Sequence, residues 1–254
     1  MPRMKIIAIF LLGIMMLAGS AFANELTVAA AANLQSVLDE LKTQFEKDTG
    51  IQLKTVVASS GKLTAQIENG APFDIFMSAN MSYPDRLFKE GLTVQSPKIY
   101  AYGVLVLWTL RPLDISKGMN LLVDPAVKKI AIASPQGAPY GQAAIQALQH
   151  QQFGTALDKK FVYGESIAQV NEFIALQAAD IGLTSKSTVL SVNLNEKGTW
   201  VEVDPKTYQP IAQGVVILKY AVKDHLRAAR KFYDFIFSKE AREAFKKYGY
   251  TVDE

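Results

Sequence analysis

Four times along this chain, an apolar strand-like run ends in small polar residues, and an amphipathic helix follows. The runs are 26–29 before Asn33, 53–57 before 59–61, 130–133 before 139–141, and 161–163 before 165–167. In an open α/β sheet, ligands bind beside the carboxyl ends of the strands. Helix N-termini also present free N–H groups and a positive dipole end, which suits an anion. The pattern therefore predicts a cage for a small oxyanion.

Two of these junctions offer polar side chains from the first half of the chain. Asn33 follows four alanines, 29–32, whose small side chains let a ligand approach the backbone closely. Asn before a helix is also an ordinary N-cap, so capping is the alternative interpretation. Ser60 belongs to a Ser-Ser-Gly turn at 59–61, in which one hydroxyl is enough for a cap and the second is a spare donor. We therefore take Asn33 and Ser60 as candidate ligand residues.

The second half of the chain adds three more candidates. Tyr140 follows Pro139 and offers a hydroxyl or a backbone N–H, with packing against a neighbour as the alternative. Ile167 opens a helix, so its backbone N–H is a free donor while its side chain packs. Ser185 stands at the end of the strand-like run Ile181–Thr184 and faces the same carboxyl edge.

These residues are suited to holding a guest rather than converting one. The sequence contains no glycine-rich phosphate loop, no G-x-G-x-x-G turn and no G-x-S-x-G elbow. It has no cysteine, and its two histidines, His150 and His225, lie far apart, which argues against a zinc or copper site. No general base or nucleophile stands out at the junctions. We therefore predict a binding protein and not an enzyme, with no cofactor and no free metal cation site.

Neutral donors suit one class of guest. A tetrahedral dianion such as sulfate, molybdate or tungstate carries no proton near neutral pH and needs donors on every side. Phosphate keeps part of its protons and needs an acceptor such as an aspartate. Glu165 is the carboxylate at the four junctions, and a dianion would repel it. Lys62 either neutralises an anion or lies on a solvated helix face. The residues thus favour a fully deprotonated oxyanion and leave sulfate and molybdate unresolved.

The first 23 residues have the features of a secretory signal peptide. Arg3 and Lys5 precede an uncharged run, 6–19, and Ala-Phe-Ala at 21–23 resembles a cleavage site. The run is shorter than the roughly 20 residues of a membrane span, and an uncleaved anchor is the alternative. Removal of 1–23 lowers the formal net charge from +3 to +1, because it removes both cations and no acid. With no basic block elsewhere, we predict no nucleic-acid partner.

Strands alternate with helices along the rest of the chain, which predicts an α/β fold of mostly parallel sheets flanked by helices. We expect strands at 25–31, 51–57, 74–78, 99–108, 129–133, 161–163, 180–184, 200–203 and 211–218, and a last helical stretch, 224–247, that breaks near Ser238. The long strands 99–108 and 211–218 bracket the second set. We therefore predict a ligand cleft between two lobes: lobe I from 24–104 and 212–254, and an inserted lobe II from 105–211. One continuous doubly wound sheet is the alternative.

Several motifs carry a family likeness. They are Leu-Thr-Val-Ala-Ala-Ala-Ala-Asn-Leu at 26–34, Ala-Ser-Ser-Gly-Lys-Leu at 58–63, Gly-Ala-Pro-Phe-Asp-Ile-Phe-Met-Ser-Ala at 70–79, and Tyr-Gly-Tyr at 248–250. Together they resemble the periplasmic molybdate-binding proteins of ABC importers, the ModA family of type II periplasmic binding proteins. The resemblance runs across 24–254 and implies two lobes that close on a tetrahedral oxyanion.

The resemblance also implies which residues hold the ligand. By position these are Asn33, Ser60, Tyr140 and the backbone N–H of Ile167. Family members often carry a ligand tyrosine near the end of the strand at 179–183. This chain has Thr184 and Ser185 there, so either Ser185 or Tyr140 would supply that hydroxyl. Molybdate would be bound through its oxygens by these groups.

The implied function is capture of molybdate, and of tungstate, by a monomeric periplasmic protein that delivers it to an ABC permease in the inner membrane. Within the same class, the alternative is a receptor for sulfate or another tetrahedral oxyanion. An exported enzyme acting on a small anionic substrate is a second alternative, and it requires a titrating base in the cleft. A solute-binding sensor domain without a transporter is a third.

Overall fold

The computed structural model describes residues 25–191 and 198–253 of this protein. Within these ranges the strands are β1 (Glu25–Ala31), β2 (Gln52–Ala58), β3 (Ile75–Ser78), β4 (Lys98–Gly103), β5 (Leu105–Thr109), β6 (Ile130–Ala133), β7 (Phe161–Gly164), β8 (Ile181–Ser185), β9 (Thr199–Glu202) and β10 (Ile211–Ile217). The α-helices are α1 (Gln35–Thr49), α2 (Ser60–Glu68), α3 (Ser82–Lys89), α4 (Pro139–His150), α5 (Ile167–Ala175), α6 (Lys186–Val189), α7 (Leu226–Ile236) and α8 (Lys239–Lys247). The predicted signal peptide lies outside the described residues.

The described strands form two separate sheets with matching layouts. The first has the order β2-β1-β3-β10-β4, and the second has the order β7-β6-β8-β5-β9. In each sheet the first three strands are parallel neighbours, and the remaining pairings are antiparallel. We call the part of the chain around the first sheet lobe I and the part around the second lobe II. The two-lobed α/β type II fold is therefore confirmed, with mixed sheets, and the single doubly wound sheet is wrong.

The connections between the lobes explain why the sheets are mixed. A parallel neighbour needs a helical crossover, as between β1 and β2, whereas a strand that arrives directly from the other lobe enters antiparallel. The predicted strand 99–108 is in fact two strands, because the chain changes sheet at Val104. The return lies between Glu202 and Ile211, so β10 belongs wholly to lobe I. The exact lobe boundaries, 24–104 with 212–254 and 105–211, stay a proposal.

Helices pack on the sheets through one apolar face. In α1 the buried residues Val37, Leu38, Leu41 and Phe45 recur at helical spacing, and Gly50 ends the helix in a left-handed conformation at φ 68°. The Phe45 ring meets the Phe232 ring of α7 edge-on, with centroids 5.1 Å apart. The predicted break near Ser238 is confirmed, since its hydroxyl caps α8 by accepting the Ala241 N–H. In the part of the chain that the structure describes, none of the helices has the length and apolar character of a membrane crossing.

Candidate functional site

The strand register places the four predicted junctions in two pairs, one in each lobe, and in each pair the ends of two neighbouring strands lie side by side. In lobe I, Ala31 at the end of β1 lies beside Ala58 at the end of β2. In lobe II, Ala133 at the end of β6 lies beside Gly164 at the end of β7. The helical segments that follow these strands therefore begin side by side within each lobe. This is the geometry of a ligand site at the carboxyl edge of an open sheet.

A small cavity lies between the two lobes at these strand ends. Its lining residues are Ala31, Ala32, Asn33, Ser59, Ser60 and Ala79 from lobe I, and Ala138, Pro139, Tyr140 and Ile167 from lobe II. The structure thus brings together four of the five predicted residues, Asn33, Ser60, Tyr140 and Ile167. None of the lining side chains carries a charge. The cavity is walled by small apolar groups, hydroxyls, an amide and helix starts.

The helices that begin at the cavity are not capped by side chains. The N-cap residues are Ser59 for α2, Ala138 for α4 and Ser166 for α5, and none of them accepts a backbone N–H through its side chain. The first N–H groups of a helix have no acceptor within the helix. Ser59 and Ser166 are residue types that normally fill this role, as Ser238 does at α8. Apart from the Gly61 N–H, which donates to the Gly137 C=O, and the Gly141 N–H, which donates to the Ala138 C=O, the first N–H groups of these helices are therefore left as donors for a guest.

The Ser60 side chain is placed to donate as well. It is 1% exposed, and its Oγ accepts a hydrogen bond from the Ala79 N–H at 3.0 Å. Since that bond uses a lone pair, the hydroxyl proton remains available for a partner in the cavity. Ser60 can thus give an anion both a side-chain and a helix-start donor.

Asn33 has a different role from the N-cap that its sequence position suggests. It lies inside a short 3₁₀ turn, Ala32–Leu34, and the cap position of that turn is Ala31. Its Nδ2 group donates to Gln213 Oε1 at 3.0 Å and to Tyr250 Oη at 2.9 Å. The capping interpretation is therefore wrong. Because both amide N–H groups are taken up by the protein, the N–H that Asn33 has left to donate is that of its main chain.

Tyr140 crosses from lobe II to the polar core of lobe I. Its hydroxyl accepts a hydrogen bond from Gln213 Nε2 at 3.4 Å. Burial raises the pKa of the Tyr140 hydroxyl well above its ordinary value, so the group stays a neutral donor. Burial likewise raises the pKa of Tyr100 and of Tyr250. We call Tyr100, Tyr140 and Tyr250 the buried tyrosine trio.

Ser185 is fully buried but does not belong to the cavity lining. Its Oγ forms hydrogen bonds with Ser187 Oγ and Thr188 Oγ1, each at 2.9 Å. Ser187 in turn donates to the main-chain oxygen of Asn33 at 2.8 Å, which joins the two lobes behind the cavity. A direct ligand role for Ser185 stays a prediction, and its observed contacts are those of a residue that supports Asn33.

Lys62 and Glu165, considered separately in the sequence, meet across the two lobes. Lys62 Nζ lies 2.7 Å from Glu165 Oε1, with Lys62 in α2 of lobe I and Glu165 just before α5 of lobe II. Next to this pair, the Gly61 N–H donates to the Gly137 C=O at 2.9 Å. We call the Lys62–Glu165 ion pair the rim clasp. The clasp offsets the carboxylate charge that would otherwise repel an anion.

Within residues 25–191 and 198–253 there is no group of three or more His, Cys, Asp or Glu side chains arranged to hold a metal ion. Sequence reasoning missed Gln213, Ser187 and the role of Tyr250, which together anchor Asn33. A glutamine in the middle of the apolar run 211–218 was the available signal for Gln213. Nothing local to Ser187 marks it, because its partner is 154 residues away in sequence.

Comparison with known proteins places this architecture in a defined group. The family model for bacterial extracellular solute-binding proteins matches residues 26–251. The molybdate-binding protein ModA of Azotobacter vinelandii is 38% identical over 242 residues, which cover 95% of each chain. The ModA of Rhodobacter capsulatus is also 38% identical, over 94% of this chain and 93% of its own. A solved structure of the A. vinelandii periplasmic molybdate-binding protein superposes with a TM-score of 0.83 at 31% identity, covering 90% of this chain and all of that one.

Proposed function

Because this chain belongs to the bacterial extracellular solute-binding proteins, and within them to the ModA family, we propose that it captures molybdate and delivers it to an ABC transporter. The observation that carries the proposal is the cavity between the lobes, lined by uncharged donors from both halves of the molecule. Asn33, Ser60, Tyr140 and Ile167 bind the oxyanion in this proposal. Ser185 supports the site from behind.

The donor set favours a fully deprotonated guest. Helix-start N–H groups, the Ser60 hydroxyl and the neutral Tyr140 hydroxyl all donate, and no carboxylate lines the cavity to accept a proton from the ligand. Hydrogen bonds from neutral donors to an ionised acceptor are stronger than those between neutral groups. Molybdate and tungstate meet this requirement on all four oxygens. A protonated phosphate leaves one of its O–H groups without an acceptor, which is costly in a buried site.

The same donors would also bind sulfate, so the size of the cavity must discriminate between molybdate and sulfate. We propose that the walls formed by Ala31, Ala32, Ala79 and Ala138 set that size, since small side chains leave room for the larger oxyanion. Tungstate, which has the same shape and charge as molybdate, is expected to bind as well. An exported enzyme is disfavoured by the lack of a charged or basic side chain in the cavity lining.

Delivery follows from closure of the lobes. Three contacts join lobe I to lobe II in this structure, namely Ser187 to Asn33, Gly61 to Gly137 and the rim clasp, and in this proposal they form as the cleft closes. A closed form presents both lobes together to a permease, and opening there releases the anion. We propose that residues 1–23 direct export to the periplasm and that the protein acts there as a monomer with an inner-membrane permease.

Calorimetric titration of the purified 24–254 chain with molybdate, tungstate, sulfate and phosphate in parallel tests the proposal. We expect tight binding of molybdate and tungstate with one site per chain, much weaker binding of sulfate and none of phosphate. A preference for sulfate would mean that the protein transports sulfate and not molybdate. Preference for phosphate, or no binding of any of the four, would refute the assignment of this cavity.

A further inference from the structure

Gln213 is a fully buried polar side chain within the otherwise apolar strand β10. The register of β10 against β4 shifts between Gln213 and Gly214, because Gln213 pairs with Ala101 and Gly214 with Ile99, which leaves Tyr100 of β4 as an extra residue in the manner of a β-bulge. Bulges occur beside functional sites, where they re-aim a side chain. Gln213 itself is not part of the cavity lining, yet its carboxamide contacts two residues that are.

The hydrogen bonds of Gln213 use both ends of the carboxamide. Its Oε1 accepts from Asn33 Nδ2 at 3.0 Å and from Tyr100 Oη at 3.1 Å, which occupies both lone pairs. Its Nε2 donates to Tyr140 Oη at 3.4 Å. The acceptor end therefore holds groups of lobe I, and the donor end meets the tyrosine of lobe II.

This polarity leaves the Tyr140 proton free for a partner other than Gln213. A phenol that accepts an N–H on one side directs its own O–H elsewhere, and here the cavity is the region that Tyr140 lines. The bond to Gln213 is long, so it orients the hydroxyl without binding it firmly. The space for this contact depends on Gly103, since a Cβ there would lie 2.1 Å from Tyr140 Oη and 2.6 Å from Gln213 Nε2.

We propose that Gln213 is a positioning residue for oxyanion capture. It holds the Asn33 amide away from the cavity and turns the Tyr140 hydroxyl proton toward it when the lobes close. A residue that both accepts and donates is required, because a group that only accepts would take the Tyr140 proton itself. This inference rests on the proposed function.

The substitution Gln213→Glu tests it, because it keeps the size of the side chain and turns its donor end into an acceptor. Binding of molybdate, tungstate and sulfate is measured by calorimetry, and folding is checked by the thermal melt without ligand. We expect affinity to fall at least about tenfold, the effect of losing one hydrogen bond to a charged group. Gln209→Glu is the matched control, since this exposed residue lies on the connection just before β10 and its substitution adds the same charge. It should change affinity less than twofold.

A thermodynamic cycle with Tyr140→Phe separates positioning from a general structural role. In the Tyr140→Phe background only the added charge remains to weaken oxyanion binding. The fold-loss of affinity caused by Gln213→Glu should therefore be at least about fivefold smaller there than in the chain that keeps Tyr140. If the two losses simply multiply, or if Gln213→Glu matches the Gln209→Glu control, the role of Gln213 is refuted while the proposed function stands. If the wild-type chain binds none of the three oxyanions, both fall. Should Gln213→Glu not fold, Gln213→Met decides: a loss of about fivefold or more supports the inference, and unchanged affinity overturns it.

Discussion

The rim clasp offers the sharpest test of how closure contributes to binding. Lys62 and Glu165 meet at 2.7 Å from opposite lobes, so their attraction stabilises the closed form. Their side chains are 50% and 59% exposed, and pairs of this kind contribute about 0.2–1 kcal/mol. Neutralising one partner should therefore weaken oxyanion affinity by a factor of about 1.4 to 5. We expect most of the change in the dissociation rate, since the pair holds the cleft shut.

Charge reversal enlarges the effect and gives it a definite sign. Lys62→Glu replaces attraction by repulsion across the cleft, so the loss should roughly double in free energy, to about 0.4–2 kcal/mol. Glu165→Lys should weaken binding in the same way. The swapped double variant, Lys62→Glu with Glu165→Lys, restores the pair and should bind within about twofold of wild type. Lys89→Glu is the control, because this exposed residue of α3 changes the net charge of lobe I equally.

Stopped-flow dissociation and calorimetry at two salt concentrations measure the outcome. The Debye length falls from about 30 Å at 0.01 M to about 3 Å at 1 M, so the differences among the variants should shrink at high salt. Failure of the swapped variant to regain affinity would refute the clasp. In that case Lys62 acts on the anion directly, which is the other interpretation that its sequence position allowed.

Three further outcomes follow from the buried contacts. Ser60→Ala should weaken molybdate binding by about 1.5–3 kcal/mol, or roughly 10- to 150-fold, measured by calorimetry. Ser185→Ala should lower the affinity far less, and an equal loss would give Ser185 a direct role. Because the pKa of each member of the buried tyrosine trio is raised, the folded protein keeps protons that the unfolded chain loses above about pH 10, and the free energy of unfolding should fall from that pH upward. Measured by tyrosinate absorbance, three of the ten tyrosines should ionise only on unfolding. Ionisation of all ten in the folded state would contradict this. Asp74→Ala should lower the free energy of unfolding in urea by at least about 1.5 kcal/mol, because buried Asp74 accepts the Thr27 N–H at 2.8 Å and lies 3.0 Å from His225 Nδ1. An unchanged midpoint of urea unfolding would refute that role.

The elements around the site could be predicted because their signals are local. The alternation of apolar runs and amphipathic helices gave β1, β2, β6 and β7 and the helix starts after them, and the two-lobed fold followed from that order. The small alanines before Asn33 indicated close backbone approach, and the resemblance added Ser60 and Tyr140. In each case the informative residues lie within a few positions of one another.

The contacts that complete the site are set by distant parts of the chain. Gln213 is 180 residues from Asn33, and Lys62 is 103 residues from Glu165, so no spacing rule links either pair. Ser185 has the expected place at a strand end, but the face on which its side chain lies depends on register, which alternates with every residue. The sequence predicts one continuous strand at 99–108 with the lobe boundary inside it, because this run contains no charged residue and no local signal marks the break at Val104.

The chain crosses between the lobes twice, from β4 to β5 and from β9 to β10. In lobe I, β4 pairs with β10, and in lobe II, β5 pairs with β9. Gly103 pairs with Ile211 in the first sheet, and on the other side the Val203 N–H donates to the Leu105 C=O at 3.0 Å. Sliding or separation of the lobes would break this backbone ladder, whereas a small change of backbone torsion in both connections would not. The paired crossings therefore favour hinge bending of the two halves over sliding or separation, and hinge bending keeps Tyr140 and Gln213 on facing walls of the cleft.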